Sequence, residues 1–189
     1  MARTRIATPM SDEAFERLAL DDPEGHWEMY CGVPRRKPAM TFEHNDVAFD
    51  LAAMLANQLD RREYRVRSNA GHVRRPTRSY FIPDVFVIPR VAFEPKRGHP
   101  DQLEAYSEPL PLVVEIWSRS TGGFDLTDKL AEYQRRGDAE IRLIHPYERT
   151  LTAWRRRPDG GYDETVITEG ILRPVALPGV AIDFAALFE

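Results

Sequence analysis

The sequence predicts an α/β (α+β) domain, a mixed central sheet flanked by helices, and three observations carry that prediction. One long amphipathic helix precedes a group of short apolar strands, a second helix interrupts those strands, and further strands follow it. No internal repeat or low-complexity tract breaks this order. At 189 residues the chain reads as one domain, 1–189, with residues 1–24 as an N-terminal helical extension.

Each element has a local reason. SDEAFERLAL (11–20) opens on a Ser N-cap with acids in the first turn, so it reads as a short helix. WEMYCGVPRR suggests a hairpin turning at Cys31-Gly32. In TFEHNDVAFDLAAMLANQLDRRE (41–63), Thr41 can cap a helix whose apolar face is Val47, Ala48, Leu51, Met54 and Leu55. YRVRSNAGHVRR offers two strands around an Asn69–Gly71 turn, SYFIPDVFVI a third and PLVVEIWS a fourth. The stretch from about Pro89 to Pro109 reads as a long loop. DLTDKLAEYQRRG reads as a helix capped by Asp125 and stopped at Gly137. IRLIHP, TLTAWRRR and YDETVIT complete the strands, and ALPGVAIDFAALF ends in a short helix.

Composition narrows the function classes. Hydrophobic content of 42% and charged content of 30% are those of a soluble globular protein. No apolar run approaches the roughly 18 residues of a membrane span, and no secretory signal is expected. One cysteine, Cys31, excludes an internal disulfide and a zinc cluster, so a reducing, cytoplasmic setting is the default. The net charge is −4, yet basic residues cluster at 35–37, 61–67, 74–78 and 155–157. Such clusters are either solvated faces or a rim facing nucleic acid, since phosphate contacts need local positive charge. Arginine supplies 23 of the 26 basic residues, and the lysines are Lys37, Lys96 and Lys129.

Carboxylates embedded in apolar strands carry the chemistry. Strand alternation puts Val113, Glu115 and Trp117 on one face, and Asp84 with Phe86 and Ile88 on one face of the preceding strand. If the two strands pair, Asp84 and Glu115 converge on a hard divalent cation such as Mg²⁺, which favours one or two carboxylates plus water and substrate oxygens. The competing reading ends a Pro-Asp turn at Asp84 and pairs Glu115 with an arginine; spacing alone leaves both open. Lys129 shares a helix face with Glu132, Tyr133 and Arg136, either beside the acids or as a solvated Lys129–Glu132 pair. His44 points to the packed side of its helix, toward a site or merely a helix end. Glu28 is a third embedded acid. GxGxxG, Walker, HExxH and GxSxG motifs are missing, which removes support for nucleotide-binding and serine-hydrolase readings.

Taken in order, WEMYCG, a histidine opening a long helix, FIPDVFVI, LVVEIWSRST and D-x-x-x-K-x-x-x-Y resemble the Uma-type restriction endonuclease family of the PD-(D/E)XK nuclease superfamily. The resemblance runs from about Ser11 to Phe188. It implies a restriction-endonuclease-like fold and Mg²⁺- or Mn²⁺-dependent hydrolysis of DNA phosphodiesters. Pro83-Asp84 resembles the superfamily's PD motif and Glu115 its second acid. Trp117 stands where the usual strand lysine would be, and Lys129 resembles the lysine that this family carries on the following helix, with Tyr133 one turn on. Ser118, Ser120, Thr121 and Asp125 resemble the loop after the acidic strand, and His44 and Glu28 match a family histidine and glutamate. The implied catalytic set is Asp84, Glu115, Lys129, Tyr133 and His44; the implied metal set is Asp84, Glu115 and Glu28. Two departures stand out: Cys31-Gly32-Val33 replaces the usual Asp-Gly-Glu, and Arg119 replaces a proline. DNA is the implied partner, no membrane is expected, and a homodimer or higher homo-oligomer stays open. The alternative is a nuclease-fold module that binds nucleic acid or protein without catalysis.

Overall fold

Ser11 and Thr41 each start a helix by accepting a backbone N–H three residues on, from Ala14 and His44. In the computed structural model, which describes residues 9–75, 78–120 and 122–189, these helices are α1 (Asp12–Asp21) and α2 (Phe42–Gln58). Between them lie β1 (Trp27–Tyr30) and β2 (Val33–Arg36), paired antiparallel across Cys31 and Gly32, both at positive φ. The helix α2 stops short of the Asp60-Arg61-Arg62 segment, where Leu59 turns extended.

The next strands are β3 (Tyr64–Ser68), β4 (His72–Arg75), β5 (Ser79–Phe81) and β6 (Val85–Pro89). Two expectations change here. The strands flanking Asn69–Gly71 do not form a hairpin, because β3 pairs with β6 while β4 pairs with β5. SYFIPDVFVI is two strands in two different sheets. Pro83 has no N–H for a ladder, so pairing breaks there and the chain crosses from one sheet to the other through Ile82-Pro83-Asp84. The expected 89–109 loop also contains structure: α3 (Arg90–Phe93), a 3₁₀ turn (Glu94–Lys96) and β7 (Ala105–Tyr106).

β8 (Leu112–Ile116) leads into α4 (Gly122–Phe124), a π-helical turn (Asp125–Lys129) and α5 (Leu130–Arg136), then β9 (Glu140–His145). The helical path begins at Gly122, so Asp125 lies inside it rather than capping it; Gly137 at φ 84° ends it as expected. β8 and β9 are parallel neighbours, which requires a crossover, and this helical path supplies it. β10 (Thr150–Arg156), β11 (Tyr162–Ile167), β12 (Ile171–Leu172), β13 (Ile182–Asp183) and a 3₁₀ turn (Ala185–Phe188) close the chain.

The resulting architecture is a mixed six-stranded sheet, β11-β10-β9-β8-β6-β3, beside a five-stranded sheet, β2-β1-β5-β4-β7. Alternation in β6 and β8 sorts their side chains to two cores. Val85, Val87, Leu112, Val114 and Ile116 pack under Val47, Leu51 and Leu55 of α2. Phe86, Ile88 and Val113 face Val73, Phe81 and Tyr133. Each fully buried Leu or Val contributes about 1.5–3 kcal/mol. On the outer side of the five-stranded sheet, Phe15 and Ala19 of α1 pack with Met29 and Tyr80. Arg136 ties the layers together: its guanidinium donates to the carbonyls of Arg74, Tyr106 and Glu108 and to Asp138. Among the described residues no helix is long and apolar enough to cross a membrane.

Candidate active site

The break at Pro83 leaves Asp84 at the junction of the two sheets, one residue ahead of β6. The antiparallel register of Val85 with Val114 and Phe86 with Val113 continues to Asp84 opposite Glu115. The register therefore sets Asp84 across from Glu115 at the end of the β6–β8 pair. Both are buried, at 1% and 3% exposure.

Asp84 receives four donors. Lys37 Nζ lies 2.7 Å from Oδ1, while His44 Nε2 at 3.0 Å and the Ile116 N–H at 2.6 Å reach Oδ2. The Nδ1 of His44 is buried without a partner among the described residues, which places the ring proton on Nε2, donating to Asp84. The Asn69 N–H holds the Asp84 backbone carbonyl at 3.0 Å. Burial alone would raise the Asp84 pKa, but Lys37, His44 and Lys129 outweigh it and hold the carboxyl well below its ordinary range.

The crossover helix returns Lys129 and Tyr133 to Glu115. Lys129 Nζ is 3.2 Å and the Tyr133 hydroxyl 2.5 Å from Glu115 Oε1. Lys129 Nζ also lies 2.9 Å from Glu28 Oε1, so the lysine bridges two strands' acids. Glu28 accepts the Ile82 N–H on the same oxygen and Arg35 on the other, at 3.0 and 2.8 Å. Burial pushes Glu28 up, yet Lys129, Lys37 and Arg35 bring it down from 4.5 to about 2. The rival pairing for Lys129, Glu132, instead takes Arg75 and Arg135. Trp117 stacks on His145 with ring centroids 4.3 Å apart. Ser118 and Ser120 hydrogen-bond to each other, and Thr121, with the side chain of Asp125, lies outside the described residues.

Three participants escape the sequence reading: Lys37, Arg35 and Asn69. In the sequence Arg35 and Lys37 stand out only as members of a basic cluster and, for Lys37, as one of three lysines. The scarcity of lysine in an arginine-rich chain was a signal for Lys37 as much as for Lys129. The other basic clusters are largely spent on ion pairs, Arg36 with Asp22, Arg67 with Glu104, Arg74 with Asp12 and Glu16, and Arg157 with Asp159 and Asp163.

Among the described residues no group of three or more His, Cys, Asp or Glu is arranged to hold a metal ion. The donor set nevertheless fits a hard divalent cation in kind. Asp84 and Glu115 offer carboxylate oxygens already facing ammonium groups, which stand in for a cation, and magnesium completes its shell with water and substrate oxygens.

The depressed Glu28 and Asp84 pKa values carry a sign. An acid whose folded pKa is lowered contributes stability that is complete above its unfolded value and lost as pH falls through the folded one. For Glu28 the fall from 4.5 to about 2 amounts to about 3 kcal/mol. Thermal unfolding followed from neutral pH downward should therefore steepen below about pH 4.5, and Glu28→Gln should flatten that limb. Parallel wild-type and Glu28→Gln profiles would contradict the assignment.

A family model described as "Putative restriction endonuclease", Uma2, matches residues 12–185. Among solved structures, a putative nuclease belonging to DUF820 from Anabaena variabilis superposes with a TM-score of 0.72 at 16% identity, covering 89% of this chain and 96% of that one. That likeness establishes the fold, a nuclease fold. No curated protein gives a significant match. Because the family match runs from the first helix to the closing turn and takes in every acid of the buried cluster, this chain belongs to the Uma2 family of putative restriction endonucleases.

Proposed function

We propose that this protein is a nuclease-like hydrolase that cuts DNA phosphodiesters with a divalent metal, Mg²⁺ or Mn²⁺, held by Asp84 and Glu115. The observation that carries this reading is the return of Lys129 by the crossover helix onto Glu115, with Asp84 opposite it across the β6–β8 pair. When bound, the cation would stabilise charge on the phosphoryl group and lower the pKa of a water molecule.

The remaining roles belong to the chain. His44 and the Ile116 N–H fix the Asp84 carboxylate, so His44 acts through Asp84 as a positioning residue. Tyr133 fixes Glu115 Oε1 by its hydroxyl. Both Glu28 oxygens are engaged, and Glu28 contributes by orienting the Lys129 ammonium. Lys129 places a positive charge beside Glu115, where it can neutralise the scissile phosphate or hold the attacking water. All of these groups are buried, so the phosphate reaches them only once part of the wall moves.

A second reading, a nuclease-fold binding module without catalysis, draws on one observation: buried ammonium groups already neutralise the acids. Supercoiled plasmid incubated with the protein and about 10 mM Mg²⁺ or Mn²⁺ distinguishes the two. Nicked or linear product that disappears with a chelator supports hydrolysis. Salt-sensitive DNA retention with intact plasmid under every divalent metal supports the binding module.

A further inference from the structure

Lys37 stands just beyond β2, and its ammonium is enclosed by three oxygens from two segments, the turn at Asn69 and the Ile82–Asp84 crossing. These are Asp84 Oδ1 at 2.7 Å, the Ile82 carbonyl at 2.7 Å and Asn69 Oδ1 at 2.8 Å. One carboxylate, one carbonyl and one side-chain amide oxygen form a donor set that hard divalent cations take. Asn69 presents its amide from a left-handed backbone, φ 49°, a conformation that asparagine tolerates better than most residues. The lysine side chain is 6% exposed and that of Asp84 2%, so the charge is held in a dry place.

The same lysine lines an open cavity of about 490 Å³ together with His26, Arg36, Asn45 and Asn69. Its backbone is anchored by the Lys37 N–H to the His26 carbonyl at 2.9 Å. The flexible four-carbon stem can therefore swing the ammonium from the oxygens into the cavity while the backbone stays in place. The Lys37 ammonium, 2.7 Å from Asp84 Oδ1, fills the position a cation on that oxygen would take, and like charges that close within a buried site repel strongly. An ammonium that leaves without replacement strands a buried carboxylate, which is costly. Departure and replacement are thus coupled.

We propose that Lys37, held by the Asp84, Asn69 and Ile82 oxygens, is an internal counter-ion on the Asp84 side of the divalent-cation site, and that metal binding to Asp84 expels Lys37 into the adjoining cavity. Lys37 then sets the metal affinity of the site and keeps the acids neutralised when metal is scarce. This rests on the reading above that Asp84 holds the metal, and the measurements below separate the two.

Mn²⁺ binding is measured by calorimetry on wild type and on Lys37→Gln. Removing the competing charge is expected to tighten Mn²⁺ by about tenfold or more. Equal or weaker binding in Lys37→Gln, with wild type binding Mn²⁺, overturns the proposal and leaves the metal reading standing. No Mn²⁺ binding to either protein overturns both. A second measurement uses wild type alone, in case the variant folds poorly. Brief acylation with acetic anhydride, followed by peptide mass spectrometry, reports on the chain's lysines, Lys37, Lys96 and Lys129. Saturating Mn²⁺ is expected to raise Lys37 labelling by about fivefold while exposed Lys96 serves as the reference. Unchanged Lys37 labelling at saturating Mn²⁺ overturns the displacement.

Discussion

Glu115→Gln is expected to reduce metal-dependent plasmid cleavage by about a thousandfold or more, with the fold retained. Glutamine keeps the size of the side chain and an acceptor oxygen for the Tyr133 hydroxyl, which lies 2.5 Å from Glu115 Oε1. It removes the negative charge that would hold the cation. Lys129 keeps Glu28 as a counter-ion at 2.9 Å, so the loss of one acid does not strand it. Initial rates at saturating Mg²⁺, with circular dichroism and Tm on the same preparations, check both halves. Cleavage at the wild-type rate would remove Glu115 from the mechanism, and a collapsed fold would show that its role is chiefly structural.

Lys129→Ala has a different expected outcome: it should cost about 3–5 kcal/mol of stability before any activity is measured. The reason is the burial of its ammonium between two acids. The lysine is 1% exposed and lies within salt-bridge distance of Glu28 and Glu115, whose side chains are 0% and 4% exposed. Alanine removes the cation between them and opens a cavity where the buried side chain had lain, its ammonium 5.9 Å from the centre of the Phe81 ring. Denaturant unfolding measures the loss. Combining Lys129→Met with Glu28→Gln should recover a substantial part of it, because the pair shares one buried charge interaction. Strict additivity of the two substitutions would show that Lys129 and Glu28 do not act as a unit.

The acids were legible because their cost is local: Asp84 and Glu115 each interrupt an apolar strand, and that conflict can be read from neighbours in sequence. Lys129 was legible through the family resemblance, because helix spacing alone left it open between the acids and Glu132; the parallel β8–β9 pair supplies the physical reason, a crossover helix that returns over the first strand. Lys37 was not, because nothing within a few residues distinguishes it from Arg35 and Arg36. Its partners Asn69, Ile82 and Asp84 come from segments 32 to 47 residues away. The division into two sheets was hidden for a related reason. Period-2 alternation in SYFIPDVFVI says which side chains share a face but not which strand pairs with which, and only Pro83 hinted at the break. The short α3 and β7 within 89–109 are held by tertiary pairing, such as the parallel contact of β7 with β4, rather than by local propensity.

Asp84 and Glu115 are expected to share a divalent cation that takes the place of Lys37 on Asp84, while Lys129 stays beside Glu115. A crystal soaked in Mn²⁺, with anomalous scattering recorded at the manganese edge, tests it most directly. An anomalous peak is expected about 2.2 Å from oxygens of both carboxylates, with the Lys37 side chain withdrawn from Asp84. A saturating soak that leaves no peak there and Lys37 Nζ still on Asp84 Oδ1 would contradict it.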